Sequence, residues 1–252
     1  MKALILAAGY ATRLYPLTES IAKPLLTIAG RPMVDHILDR IRLADPVEAH
    51  VVTNSKFAGA FSEWAPPGVI VHDDGTTSEH DRLGAIGDLL FVLDRVAIDD
   101  DWLVVAGDNL FDYSLSDYVE WWRTKGVASA VALYEHPDLE LVKQYGVVEL
   151  DEHDRVVSFV EKPAEPLSNL AATACYLFHR EHLKLVATYL EEGNVPDQPG
   201  RFVEWLHRRA PVYGYRFSGE WLDIGDRDQL LEADNRARTR AGQSPRAEYV
   251  PD

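Results

Sequence analysis

A single cysteine, Cys175, occurs in the 252-residue chain, so no internal disulfide can form and a reducing cytoplasm is the expected setting. Basic side chains are also scarce. The 25 lysines and arginines are outnumbered by 41 aspartates and glutamates, giving a formal net charge of −16. That imbalance argues against general nucleic-acid binding, which needs a basic footprint. It leaves room for an anionic small molecule, because a few local cations and backbone amides are enough to hold one. Long apolar runs are missing as well. Residues 1–8 are apolar apart from Lys2, but the run breaks at Gly9 and meets Arg13, too short for a signal-peptide core with its cleavage site or for a membrane span. No membrane association is expected. There is no glycine-lysine-serine/threonine phosphate loop and no complete spaced-glycine dinucleotide fingerprint. The nine histidines show no metal-ligand spacing, and no internal repeat or low-complexity segment occurs.

What the chain has is apolar material, 46% hydrophobic and 10% aromatic residues, too much for a disordered chain. At this length one core buries roughly 70–75% of the extended surface, so a single domain over residues 1–252 is expected. The run 2–8 suits a central parallel strand covered on both faces. Residues 9–28 read as a polar loop. Gly30-Arg-Pro32 opens a helix whose buried face carries Met33, Val34, Ile37, Leu38 and Ile41. Strands are expected over 49–53, 102–106, 127–134, 172–178 and 211–217. Helices are expected over about 86–93, 116–123, 182–190, 201–209 and 226–240, and 145–150 with 155–160 as a hairpin. Strands alternating with helices predict an α/β fold: a Rossmann-like, three-layer, mixed and largely parallel sheet with a mid-chain antiparallel hairpin.

The loop after the first strand is the most informative segment: Leu6-Ala7-Ala8-Gly9-Tyr-Ala-Thr12-Arg13, then Lys23-Pro24. Ligands of open α/β sheets bind beyond the carboxyl ends of strands, and small residues there let backbone amides approach phosphate oxygens. Arg13 and Lys23 can add positive charge, the first as a fork and the second as a point charge. A glycine turn with solvated cations would look much the same on its own. Three further pieces follow in order: Val105-Ala-Gly-Asp108-Asn109, Val160-Glu161-Lys162-Pro163 and Trp221-Leu-Asp223-Ile-Gly225. Trp121 and Trp122 fit helix packing, Cys175 a structural role, and Tyr176 either a pocket wall or the core.

Together the four pieces resemble the sugar-phosphate nucleotidyltransferases, the group of glucose-1-phosphate thymidylyltransferases and mannose-1-phosphate guanylyltransferases. The resemblance implies a fold of the nucleotide-diphospho-sugar transferase type. It also implies a reaction in which a sugar 1-phosphate attacks the α-phosphorus of a nucleoside triphosphate in line with departing pyrophosphate. Such transfer depends on alignment and charge neutralisation more than on a covalent nucleophile. The resemblance assigns Leu6, Ala7, Ala8, Gly9, Thr12, Arg13, Lys23, Gly84 and Asp108 to the nucleotide. It assigns Asn109, Tyr145, Gly146, Glu161, Lys162 and Tyr176 to the sugar phosphate. Asp108 and Asp223 would hold Mg²⁺, a hard cation that prefers oxygen ligands. Arg13, Lys23, Asp108, Lys162 and Asp223 form the implied catalytic set. Residues 1–135 would serve mainly the nucleotide and 136–225 mainly the sugar phosphate, with 226–252 a terminal helix and tail.

Two segments depart from the family pattern. Residues 77–85 stand where relatives carry a glutamine-containing base-reading stretch, and Ser78, Glu79 and Arg82 are the candidates here. Residues 193–202 lack the acidic stretch of thymidylyltransferases, so base and sugar stay open. Two other readings are compatible with the chain: a nucleotidyltransferase for another phosphate monoester such as phosphocholine, and a regulatory nucleotide-sugar binder without catalysis. A homo-oligomer is compatible with all of them.

Overall fold

The computed structural model describes residues 1–251. The first strand, β1 (Lys2–Leu6), lies in the middle of a nine-stranded sheet. Leu4 packs into the apolar layer on one face, and Ala3 and Ile5 pack into the layer on the other. That is why residues 3–6 are all apolar instead of alternating. Full burial of a side chain such as Leu4 or Ile5 contributes about 1.5–3 kcal/mol. A short loop structure follows, with α1 (Leu17–Ser20) and the two-residue strands β2 (Thr27–Ile28) and β3 (Arg31–Pro32). Next come α2 (Met33–Leu43), β4 (Glu48–Thr53), α3 (Ala58–Trp64), β5 (Val69–Asp73) and α4 (Ala85–Leu93). The strands β6 (Trp102–Ala106) and β7 (Asn109–Phe111) precede α5 (Leu115–Arg123) and β8 (Ser129–Glu135).

After the short α6 (Leu139–Val142), β9 (Gly146–Leu150) and β10 (Val156–Glu161) form the expected hairpin, pairing antiparallel. The long β11 (Leu170–Phe178) pairs antiparallel with β6, β8 and β9 and so joins the two halves of the sheet. The chain continues through α7 (Arg180–Leu183), α8 (Leu185–Glu191), α9 (Pro199–Leu206), β12 (Val212–Phe217), β13 (Trp221–Asp223) and α10 (Arg227–Arg240). One path through the sheet runs β10-β9-β11-β6-β1-β4-β5, with β8 between β11 and β12. The strands β5, β4, β1 and β6 are parallel neighbours. Residues of α2, α5 and α10 pack on one face, and residues of α4, α8 and α9 on the other, giving three layers.

Several elements differ from the sequence reading. The 9–28 loop is neither polar throughout nor irregular: Leu14, Thr18, Ala22, Leu26 and Ile28 are fully buried and anchor it. Sequence periodicity gives no element between Thr53 and Asp73, where α3 and β5 lie. The helix α3 is seven residues long with Phe61 its one fully buried side chain, and β5 is a half-exposed edge strand, so neither carries a strong period. The expected 182–190 helix is two helices meeting at Lys184. Most consequential is the antiparallel pair β7–β13, which sets Asn109 opposite Asp223. Three-residue strands 112 positions apart leave no periodic trace.

Candidate active site

The carboxyl ends of β1 and β6 sit side by side, with Leu6 paired to Ala106. The strand order changes direction there, since the chain leaves β1 for β4 on one side and returns as β6 on the other, the usual place for a ligand in such sheets. Gly107 donates its N–H to Leu6 O at 2.8 Å, and a Cβ at this position would stand 2.9 Å from that oxygen, so only glycine permits the approach. The loop after β1 is held by Asn54 Nδ2 on Ala8 O at 2.9 Å and by Thr18 Oγ1 on Ala11 O at 2.8 Å. Ala11 itself is left-handed at φ 48°. A cavity of about 390 Å³ opens over this loop, lined by Leu6, Ala7, Gly9, Thr12, Arg13, Lys23, Asp108, Asp223 and others.

Asp108 and Asp223 meet because β7 pairs with β13. Asn109 Nδ2 donates to Asp108 Oδ1 at 2.8 Å and to Asp223 Oδ1 at 3.3 Å. Trp221 Nε1 donates to Asn109 Oδ1 at 2.6 Å, and this fixes the amide with its nitrogen toward the two carboxylates. Lys23, almost wholly buried, forms an ion pair with Asp108 Oδ2 at 2.8 Å. Burial acts to raise the Asp108 carboxyl, but the Lys23 charge and the hydrogen bonds from Lys23 and Asn109 reverse that and hold it below its ordinary value. Asp223 goes the other way. Burial, reinforced by the Asp108 charge, pushes it up to about 6. The pair is therefore short of positive charge, Asp223 most of all. Two neighbouring oxygen-donor groups that share one ion-paired lysine, Lys23 on Asp108, fit a hard divalent cation that keeps several waters or phosphate oxygens of its own. Among the described residues no group of three or more His, Cys, Asp or Glu could hold a metal, so protein ligands alone would not enclose one.

A second cavity of about 320 Å³ adjoins the first, sharing Leu6, Gly9, Arg82, Asp108 and Asp223 with it. Ala8, Gly84, Asn109, Tyr145, Gly146, Glu161, Lys162 and Tyr176 line it. The two positions Ala8 and Gly84, expected beside the nucleotide, thus face this second cavity. Lys162 follows β10 at a left-handed φ of 51° and donates its N–H to Tyr145 O at 3.0 Å. A non-glycine residue held in such a conformation costs about 1–3 kcal/mol and persists where surrounding structure imposes it. Tyr145 packs edge-on against Trp221, with ring centroids 4.8 Å apart. Tyr176 is 2% exposed and stacks on Phe178, so it belongs to the core and to the cavity wall at once. Burial raises the Glu161 carboxyl, while Lys162 and Arg201 act against the rise.

The segment 77–85 is organised mostly by itself. Asp81 accepts hydrogen bonds from the backbone N–H and hydroxyl of both Thr77 and Ser78, so the polar groups of Ser78 are already engaged. Glu79 and Arg82 line the first cavity. Arg82 also makes the ion pairs expected of a surface arginine, with Glu79 at 2.5 Å and Asp197 at 2.6 Å. Gly84 has φ 77°, and a Cβ there would meet Pro196 O at 2.8 Å, so the 193–200 loop is strapped directly over this segment. Sequence reasoning missed Asp88, Gln144, Asp197, Gln198 and Gly200, which also line the second cavity. Asp88 is 5% exposed, and its Oδ1 and Asp74 Oδ2 are both buried without a donor. Burial and the Asp74 charge push Asp88 up to about 8. Burial beside the Asp74 carboxylate thus favours the protonated form of Asp88. A charged residue inside the apolar run Ala85–Leu93 was the available signal.

Comparison with known proteins adds four findings. Residues 2–240 match the family model described as nucleotidyl transferase. A Synechocystis UTP–glucose-1-phosphate uridylyltransferase is 32% identical over 242 residues, covering 89% of this chain and 60% of its own length. This chain thus spans about three fifths of that curated relative. Among solved structures, a Bacillus anthracis protein described as a glucose-1-phosphate thymidylyltransferase, in complex with a sucrose, is 25% identical with a TM-score of 0.78. That match covers 94% of this chain and 95% of the other. A UDP-glucose pyrophosphorylase complexed with UDP-glucose is 20% identical with a TM-score of 0.82, covering 95% and 98%, and speaks for the fold.

Proposed function

The chain belongs to the nucleotidyl transferase family, and from that premise we propose that it condenses a nucleoside triphosphate with a sugar 1-phosphate, giving a nucleotide-sugar and pyrophosphate. One observation carries the reading. Asn109 ties the Asp108 and Asp223 carboxylates together where the two cavities meet, the first bearing Arg13 and Lys23, the second Glu161 and Lys162. The triphosphate belongs in the first cavity, with Arg13 and Lys23 against its phosphates and Gly9 leaving the backbone accessible. The sugar 1-phosphate belongs in the second, with Lys162 on its phosphate and Glu161 accepting hydrogen bonds from sugar hydroxyls. A phosphate oxygen of the sugar phosphate then bonds to the α-phosphorus as the bond to the β-phosphate oxygen breaks, and pyrophosphate leaves with the electron pair. Holding both reactants in line replaces a bimolecular encounter with an oriented one.

Asp108 and Asp223 are the residues that would hold Mg²⁺, which supplies charge neutralisation at the phosphates when bound. Lys23 is already engaged by Asp108 and so orients that carboxylate as well as adding charge. A cytoplasmic setting suits the lone, buried Cys175, and no helix among the described residues is long and apolar enough to cross a membrane. The test is pyrophosphate release from a panel of nucleoside triphosphates against sugar 1-phosphates and phosphocholine, with Mg²⁺. Release with a sugar 1-phosphate is the expected result. Release with phosphocholine alone would replace the acceptor, and ligand-induced shifts in melting temperature without any release would make the chain a binding protein.

A further inference from the structure

Gly200 stands in the first turn of α9, where alanine would be the better helix former. Its φ is not among the left-handed values found at other glycines of the chain. Backbone conformation therefore gives no reason for glycine here. The neighbours do. A Cβ built on Gly200 would stand 2.0 Å from Glu161 Oε2 and 3.0 Å from Glu161 Cδ. The same carboxylate oxygen lies 3.0 Å from where a Cβ of Gly146 would be, and Gly146 is the partner of Glu161 across β9 and β10. The Glu161 carboxylate thus occupies a slot between two glycines from different elements, on the wall of the second cavity.

The two glycines differ in what an added methyl group would strike. At Gly146 it would run into the ring of Phe159, 2.5 Å away and 1% exposed in the core, so that position is needed by the fold as well. At Gly200 the closest atoms are the free end of a flexible side chain, with Phe159 Cε1 next at 3.2 Å. Among the described residues no side chain donates a hydrogen bond to the Glu161 carboxylate. Only the Lys162 and Arg201 charges act favourably on it. The slot, not a hydrogen-bond network, sets its place, and its lone pairs are left for a ligand.

We infer that Gly200 is a positioning residue for the acceptor: by lacking a side chain it keeps the Glu161 carboxylate against the second cavity. The inference rests on the reading of that cavity as the sugar-phosphate site. In Gly200→Ala the carboxylate must swing out of the slot while the helix gains a better former. With glucose 1-phosphate as the acceptor, its KM should rise roughly tenfold or more while the triphosphate KM stays within about twofold. The melting temperature should hold or increase. Glu161→Asp shortens the side chain by one methylene and vacates the slot. Placed in the Gly200→Ala background, it should therefore cost less than in the parent, so that the two penalties fail to multiply.

A parent-like acceptor KM in Gly200→Ala, strictly multiplicative penalties, or a fall of melting temperature by many degrees would each overturn the inference. A second measurement needs no turnover. Carbon-13 NMR titration of glutamate carboxyls should show the raised Glu161 titration moving toward the ordinary glutamate range in Gly200→Ala. An unmoved titration overturns the role of Gly200. Absence of pyrophosphate release from the parent with every acceptor would instead remove the sugar-phosphate reading itself.

Discussion

Asp223→Asn separates the electrostatic role of this carboxylate from its contribution to stability. In the metal-free protein, burial and the Asp108 charge raise Asp223 from an ordinary 3.8 to about 6. The difference, 6 − 3.8, is about 2 pKa units, or about 3 kcal/mol. The sign follows from proton binding. The folded chain holds the Asp223 proton to higher pH than the unfolded chain, so the cost is absent below about 3.8, grows as pH rises, and is complete above about 6. Asparagine cannot ionise, and its carbonyl can still accept from Asn109 Nδ2. Metal-free Asp223→Asn should therefore melt like the parent near pH 4 and above it at pH 8. With about 2–4 °C per kcal/mol at this size, the ceiling is about 6–12 °C, and screening by cleft water lowers it.

Catalysis should move the opposite way, falling roughly 10²-fold or more as a preorganised charge is lost. Mg²⁺ should raise the melting temperature of the parent more than that of the variant, since ligand linkage reaches about 2.7 kcal/mol at a hundred times Kd. The assay is a set of melting curves from pH 4 to 8 with and without Mg²⁺, beside pyrophosphate release. Coincident metal-free melting temperatures across that range, or parental turnover at limiting Mg²⁺, would refute the reasoning.

Arg13→Ala deletes a charged fork from the first cavity, so the triphosphate KM should rise about tenfold, equivalent to 1.4 kcal/mol, with the acceptor KM unchanged. Equal efficiency of variant and parent at subsaturating triphosphate would return Arg13 to the solvated surface. If Glu79 or Arg82 reads the base or ribose, alanine at either position should change the preference between two competing triphosphates by roughly tenfold. Ser78→Ala should leave it alone because Asp81 already occupies that side chain; preference ratios unchanged in all three variants place base reading elsewhere. Asp88, raised to about 8, binds its proton more tightly folded than unfolded, so stability should decline as pH rises toward and through 8. Asp88→Asn, which keeps a donor toward Asp74, should flatten that decline, and superimposable pH profiles for the two proteins would refute the raised Asp88 carboxyl.

By itself the sequence determined the sheet class, the central strand and the small-residue loop that follows it. These rest on local causes: a two-sided burial demands an unbroken apolar run in β1, and helical spacing demands one apolar face in α2. It also named the motif residues gathered around the two cavities, though not Asp88, Gln144 or Asp197, because the four motifs stand at strand ends and strand ends share one edge of an α/β sheet. It could not supply the pairing of β7 with β13, which joins Asp108 to Asp223 through Asn109 and gives Trp221 its hold on the amide. Nor could it supply the slot between Gly146 and Gly200, the strap of Pro196 over Gly84, or the burial of Asp88 beside Asp74. Each is a contact between segments distant in the chain, created by packing and not by the propensity of either segment. Local composition fixes what an element is, whereas the distance between two carboxylates, and hence their charge, is decided only once β7 and β13 have paired.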